Sequence, residues 1–438
     1  MQLKINTLNQ TKFIAYNVKT LKFRRRILLR DIVRFMSNPR TNVNRPSRLN
    51  HQLDQFGLNK FSSNTASLVL FISLLYTTVR YSSEIVAGGH PYLTGDWLIN
   101  YAGGYSGRGL NGQLLLQFSN LTGLDLLWVA YFEQIGIYSI YVLIVIRLLR
   151  KVHDKFLWMI SLSPLFIMFD FLDTGGAFRK EIIGFASLAL FVRMLMIKKF
   201  TWISFLPVVF LYLLSAFSWE ASIIFLLPML YFTHKMKLSG LLEKSQFIGI
   251  SLLYSIISFS SLMASFIFQL ASSKDQSRAV CDSIVAKGIS PKICDGTIFS
   301  VTGLKIDIPE TLHFLLVEND YSYYFPILIF ALLPFIWNGW IKQHPILNTY
   351  FFISVLPIFL IGLDWGRWIH ILGTIITLAW IAEKSQNSEA RHEHRGRAGA
   401  LIFPMLTVLF IALWRIPHAG GLPGAFLFGA AARLLSWI

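Results

Sequence analysis

Charge is scarce in this chain and cysteine nearly absent: Asp, Glu, Lys and Arg make up 14% of 438 residues, and there are two cysteines. Cys281 and Cys294 form no CxxC pair, and the chain holds no Walker loop, strand-flanked dinucleotide fingerprint or HExxH motif, so common zinc, nucleotide and dinucleotide sites are excluded. The ten histidines show no ligand spacing near the clusters below, and His392 and His394 sit in a charged loop where solvation accounts for them. Neither a structural metal nor a cofactor is expected. Acidic residues are the scarcer sign, 23 against 40 Lys and Arg. The excess of +17 does not point to nucleic acid, because the basic residues cluster beside apolar segments rather than on an aromatic-interleaved surface. Residues 1–60 lack the apolar core and small-residue cleavage site of a signal peptide, so this tail is expected to stay on the protein.

What is present in abundance is apolar: 54% hydrophobic residues, 15% aromatic, and a mean hydropathy of +0.54. These values predict an all-α polytopic transmembrane protein with eleven or twelve spans and no soluble domain of ordinary size. Residues 1–64 read as a basic cytoplasmic tail, with an amphipathic segment around Arg24–Arg34 attracted to anionic lipid. The region 65–438 reads as the transmembrane domain, with outer loops over 87–123 and 271–320. Predicted spans include 65–86, 124–149, 156–172, 182–197, 221–232, 247–270, 345–363 and 369–382. A short surface-lying helix is expected over 112–120.

Charge tests this topology independently of any motif. The face assigned as cytoplasmic carries 27 Lys/Arg and 7 Asp/Glu; the opposite face carries 11 and 16. That asymmetry follows the positive-inside rule. It puts four polar clusters on one outer side: the stretch GDWLINYAGGYSGRGLNG from Gly95 to Gly112, DTGGAFRKE from Asp173 to Glu181, Trp219-Glu220, and DWGRW from Asp364 to Trp368. Four clusters on one face imply one site.

Each cluster has two readings. The six glycines of the first suit close backbone approach, and its amides beside Arg108 suit phosphate or sugar hydroxyls; alternatively it is a compact turn in which Asp96 and Arg108 pair. Arg179 and Lys180 precede a helix start with Glu181, where free N–H groups favour an anion and a guanidinium fork matches phosphate; alternatively both snorkel to headgroups. Glu220 is a carboxylate close to hydrocarbon, where partial burial would suit it as a general base, or else it pairs with an arginine. Asp364 and Arg367 are spaced to pair with each other, while Trp365 and Trp368 suit either sugar stacking or interfacial anchoring. Cys281 and Cys294 share an outer loop, and an oxidising compartment would permit a bond between them.

The pattern DxGGxFRKExxG leading a helix, the Gly/Arg-rich outer loop, the carboxylate of the next outer hairpin and the late DWGRW together resemble bacterial polysaccharide-assembly membrane proteins. These are the Wzy-type O-antigen or capsule polymerases and exopolysaccharide polymerase-like proteins, within the wider GT-C membrane glycosyltransferases. The resemblance covers about 65–382. It departs from the polymerases in its largest outer loop, where Arg278 is the single arginine. It implies a multi-pass protein of the bacterial inner membrane, N-terminus cytoplasmic, that elongates undecaprenyl pyrophosphate-linked glycan at the periplasmic face. Partners would be that glycan, membrane lipid and other polysaccharide-assembly proteins. A GT-C transferase using a polyprenyl-phosphate sugar would instead place its base or metal ligand at Asp96 or Glu84. For transfer from a polyprenyl pyrophosphate, Glu220, then Asp96, are the expected catalytic carboxylates. Arg108, Arg179, Lys180, Glu181, Asp364, Arg367, Trp365 and Trp368 are expected to bind substrate. A lipid-linked glycan flippase or transporter is the non-enzymatic alternative.

Overall fold

Two helices buried on every side organise the structure, and a helix that is apolar all round has to sit inside other helices. The computed structural model describes residues 58–152, 154–270, 274–301, 308–318, 321–386, 397–418 and 429. The chain divides between Phe61 and Ser62, and the packing described here is that of the second part. The basic tail and its amphipathic segment, up to residue 57, and nearly all of the last apolar run at 425–438 lie outside the described residues.

In chain order the helices are α1 (Leu58–Val86), α2 (Leu93–Leu98), α3 (Gly109–Thr122), α4 (Leu126–Val152), α5 (Lys155–Ser161), α6 (Phe169–Leu172), α7 (Glu181–Ile197) and α8 (Trp202–Ser218). A 3₁₀ turn at Glu220–Phe225 leads into α9 (Leu226–Leu238), followed by α10 (Lys244–Leu270), α11 (Lys274–Val285), α12 (Thr297–Val301), α13 (Ile308–His313), α14 (Tyr324–Trp337), α15 (Trp340–Gln343), α16 (Pro345–Ile361), α17 (Trp365–Gln386) and α18 (Arg397–Ala412). Among the described residues there is no strand.

The central pair is α7 and α17. In α7 thirteen of seventeen residues are buried, and it packs against α4, α8, α9 and α17. In α17 every residue from Trp365 to Ala382 is buried, and α4, α14 and α16 surround it. Local chemistry sets the helix ends. Asp154 accepts from the Phe156 and Leu157 amides to start α5, Thr201 and Ser204 form a capping box at α8, and Lys198 at φ 53° closes α7.

By length and composition α4 and Lys244–Ile267 of α10 are able to cross a membrane; a third span results if Thr311–Glu318 and Tyr321–Trp337, bent by 82°, count as one. The remaining expected spans are shorter or more polar: α7, α8 and α16 have 17 residues each and α9 has 13. The expected span 156–172 is broken into α5 and α6, with Pro164 between them, a residue that offers no backbone donor to continue a helix. The expected outer loop 271–320 is largely helical where it is described. There the disulfide joins Cys281 to Cys294.

Candidate functional site

The four polar clusters converge at one end of α7 and α17. The opposite end of α17 holds another set of ion pairs, Lys235 with Glu383 at 2.8 Å and Lys384 with Asp154 at 3.4 Å.

The glycine-rich stretch is helical at its start, where α2 buries Asp96 and Trp97, and at its end, where α3 begins. Two of its glycines permit close approach: a Cβ on Gly112 would lie 2.1 Å from the Ile99 carbonyl oxygen, and one on Gly109 would lie 2.2 Å from the Tyr101 ring. The fold of this stretch therefore delivers Arg108 immediately ahead of α3. Arg108 Nε donates to both Glu220 oxygens at 2.8 and 2.7 Å, its Nη2 donates to Oε1 at 2.5 Å, and its Nη1 reaches Asp96 at 3.2 Å. Burial opposes the guanidinium charge, but Glu220 and Asp96 hold Arg108 above its ordinary pKa.

Lys180 is fully enclosed, not snorkelling: its side chain is 0% exposed, its ammonium donates to the Arg108 carbonyl at 2.8 Å, and Asp96 lies 3.9 Å away. Burial pulls its pKa down to about 8 against the opposing pull of Asp96. For Asp96, burial works to raise the carboxyl pKa, but Lys180, Arg108, Arg179 and Arg367 together hold it below the usual range.

Glu181 occupies the first turn of α7, so the helix start is already served by a carboxylate. That carboxylate is gripped by Arg367 through Nε at 3.0 Å and Nη2 at 2.7 Å, while Arg367 Nη1 donates to Asp364. Burial works against this charge too, but Glu181 and Asp364 raise the Arg367 pKa above its ordinary value. Asp364, which burial would raise, is held low by Arg367 and Arg179.

Arg179 differs from the other three cations. Its side chain is buried, Nη1 donates to the Tyr92 carbonyl at 2.8 Å and to Thr297 Oγ1 at 3.5 Å, and Nε has no acceptor among the described residues. Among those residues no carboxylate lies within ion-pair distance of it. Burial, followed by the like charge of Arg367, lowers its pKa.

Supporting contacts fix the DTGGAFRKE loop. Asp173 accepts from the Gly175 and Gly176 amides at 3.2 Å each, and from the His418 amide and Nδ1 at 2.8 and 2.9 Å. Phe178, at φ 52°, turns its carbonyl toward Trp97 Nε1 at 2.6 Å and Gln134 Nε2 at 3.4 Å. Neither Trp365 nor Trp368 presents an exposed face. Trp365 is enclosed by Tyr321, Phe325 and Phe359, and Trp368 stacks on Trp219 with 6.4 Å between ring centroids.

The structure thus gathers Asp96, Arg108, Lys180 and Glu220 into one ion-paired group and Glu181, Asp364 and Arg367 into another, with Arg179 exerting its charge on Asp96 and Asp364; Glu84, the other candidate carboxylate, is half-buried on α1 and belongs to neither group. Sequence reasoning missed Asp173 with His418, and also Asn111 with Glu133. The available signal was Glu133, the lone carboxylate of α4. Among the described residues no group of three or more His, Cys, Asp or Glu gathers to hold a metal ion. No family model, curated protein or solved structure matches the chain.

Proposed function

We propose that this is a polytopic membrane glycosyltransferase or polysaccharide polymerase, acting on undecaprenyl pyrophosphate-linked glycan at the outer face of a bacterial inner membrane. The observation that carries the reading is Arg179, a buried guanidinium with an unused donor, set among Arg108, Lys180 and Arg367 at one end of an apolar helix bundle. Asp96, Asp364 and Glu181 act on this cation from beyond ion-pair distance, and a phosphate oxygen would supply the acceptor that its Nε lacks. A membrane setting is supported by the outward faces, which are apolar: Leu68, Ile72 and Val79 of α1, Ile203 and Leu206 of α8, and Ile256 and Phe266 of α10 are each more than half exposed. Of the site, Asp96, Arg179, Lys180, Glu181 and Arg367 are buried.

In glycosyl transfer from a polyprenyl pyrophosphate, the anomeric C–O bond breaks with its electron pair leaving on the phosphate, so guanidinium groups already in place stabilise the transition state more than the ground state. The acceptor hydroxyl loses its proton to a carboxylate as its oxygen bonds to the anomeric carbon. Glu220 is the first choice, since its side chain is 37% exposed against 2% for Asp96.

The test is reconstitution with a synthetic undecaprenyl pyrophosphate-linked oligosaccharide. Wild-type protein should lengthen or transfer the glycan, Glu220→Gln should slow turnover by roughly 10²–10⁴-fold, and Arg179→Lys should impair it despite keeping the charge. Movement of the lipid across the bilayer without bond formation would replace the transferase with a flippase. Normal glycan assembly by both variants would leave these residues as structural partners.

A further inference from the structure

One face of the second half of α1 is polar and turned away from the helix's exposed apolar stripe. Thr77, Arg80, Tyr81 and Glu84 recur at i, i+3, i+4 and i+7, the spacing of a single helical face. Leu68, Ile72, Leu75, Val79 and Val86, all exposed, lie on the opposite side. A cavity of about 90 Å³ lies between the polar face, His90 at the turn into α2, and Thr174 of the DTGGAFRKE loop that also carries Arg179. One water needs only roughly 10–15 Å³ of such space, so the cavity has room for a larger group. Its wall brings Arg80 and Glu84, opposite charges, one helical turn apart.

Three groups on this wall retain capacity for a ligand. Glu84 is half-buried, and among the described residues its carboxylate takes part in no hydrogen bond or ion pair. The Thr174 hydroxyl likewise has no hydrogen-bond partner among them. His90 is held in one tautomer: its Nδ1 accepts from the Tyr92 and Leu93 amides at 3.1 and 3.2 Å, so the proton of the neutral ring sits on Nε2. Burial, working against Glu84, keeps the His90 pKa below its ordinary value, so the ring is neutral at pH 7. Its Nε2–H has no acceptor among the described residues. Tyr81 differs, because its hydroxyl bonds Gln134 and Thr94 at 2.7 and 2.8 Å and its ring stacks on Phe178. It is wall.

This set of groups selects among ligands. A plain anion would meet Glu84, and a plain cation would meet Arg80 and the His90 donor. A neutral sugar would cover both charges and neutralise neither. A zwitterion satisfies both ends: anionic oxygens accept from His90 Nε2–H and the Thr174 hydroxyl beside the Arg80 charge, and an ammonium donates to Glu84. The helix also indicates the source. Tyr76 and Val69, four and eleven residues before Arg80 and so on the same helical row, are exposed. They give an acyl chain a path along α1 to the cavity.

We propose that this cavity binds the headgroup of a phospholipid whose phosphate carries a primary ammonium arm, phosphatidylethanolamine in its simplest form. The phosphate faces Arg80 and His90, and the ammonium faces Glu84. Choline would offer Glu84 no N–H and would bring three methyl groups into the same small space. The inference rests on the membrane setting of the chain and not on glycan transfer.

The experiment measures equilibrium binding of short-chain phosphatidylethanolamine, phosphatidylcholine, phosphatidylglycerol and a neutral glucosyl lipid to the detergent-purified full chain. Wild type should bind the ethanolamine lipid roughly tenfold or more tighter than the choline lipid, the range for hydrogen bonds to a charged group, with the glycerol and glucosyl lipids also weaker. Glu84→Gln should abolish the preference for ethanolamine over choline. Arg80→Gln should weaken both of those lipids while keeping the preference, and with the wild-type series it decides the matter if Glu84→Gln fails to fold. Equal binding of the ethanolamine and choline lipids by wild type, or a preference that survives in folded Glu84→Gln, overturns the proposal. A glucosyl lipid that binds as tightly as the ethanolamine lipid and is lost in Glu84→Gln would give the cavity to sugar hydroxyls instead. Soluble phosphoethanolamine binding as tightly as the lipid would remove the membrane as the source. None of these outcomes depends on turnover, so the transferase reading stands or falls separately.

Discussion

Replacing Arg367 by Met tests whether the ion pair between the two central helices is structural as well as functional. Arg367 begins α17, Glu181 begins α7, and their side chains are 7% and 5% exposed. Two hydrogen bonds at 3.0 and 2.7 Å join them, with Asp364 held by the third nitrogen. Removing the guanidinium leaves a buried carboxylate uncompensated, and breaking a buried pair in this way costs about 3–5 kcal/mol. With an unfolding entropy of about 2.1 cal/mol/K per residue, a chain of this length should lose roughly 3–6 °C in its unfolding midpoint. Substituting Glu181→Gln alongside Arg367→Met should restore much of the loss, because the charge left behind has gone. The assay is thermal unfolding of detergent-purified protein, with the four members of the cycle measured together. If Arg367→Met unfolds within about a degree of wild type, or the double variant is as unstable as the two single losses added, then the pair does not hold α7 to α17 and the argument from burial fails.

Affinity for undecaprenyl pyrophosphate should fall as pH rises through about 8, where buried Lys180 becomes neutral, whereas Arg108 and Arg367 stay charged because their carboxylates hold their pKa values high. A Lys180→Arg variant that binds should lack this step, and a wild-type profile flat across that range would remove Lys180 from the binding set. Opening the Cys281–Cys294 bond, which spans 13 residues, by Cys281→Ser with Cys294→Ser should destabilise the region 274–301 by about 3 kcal/mol on the loop-entropy account. Faster limited proteolysis within that region is the expected readout, and unchanged digestion would make the bond dispensable. For topology, a cysteine at exposed Lys287 should react with an impermeant thiol reagent on intact cells, and one at exposed Lys199 only after permeabilisation. Labelling in the opposite order would place the site on the cytoplasmic side.

Sequence pattern reached the composition of the site further than its wiring. Glu220 and Arg108 stood out as charges beside apolar runs, and the spacing of Asp364 and Arg367 allowed the pair that forms. The bond between Arg367 and Glu181 spans 186 residues, and no local rule pairs residues at that separation. For the same reason Lys180 read as equally able to snorkel or to bind, until packing enclosed it. Glu133 was hidden by the opposite effect, since one carboxylate barely alters the hydropathy of a 27-residue helix. The broken span at 156–172 shows the limit of hydropathy itself: the segment is buried along α5 and α6, so burial supplies the apolar surroundings that a continuous helix would find in lipid. Non-helical backbone is tolerated there because protein encloses it, as at Ser163, whose hydroxyl donates to the Ile160 carbonyl at 2.7 Å and accepts from the Leu165 amide at 3.3 Å. Apolar runs record which residues avoid water; whether they do so among lipids or among other helices depends on the partners that tertiary packing brings, and those same partners decide which charges are paired and which, like Arg179, keep a donor without an acceptor among the described residues.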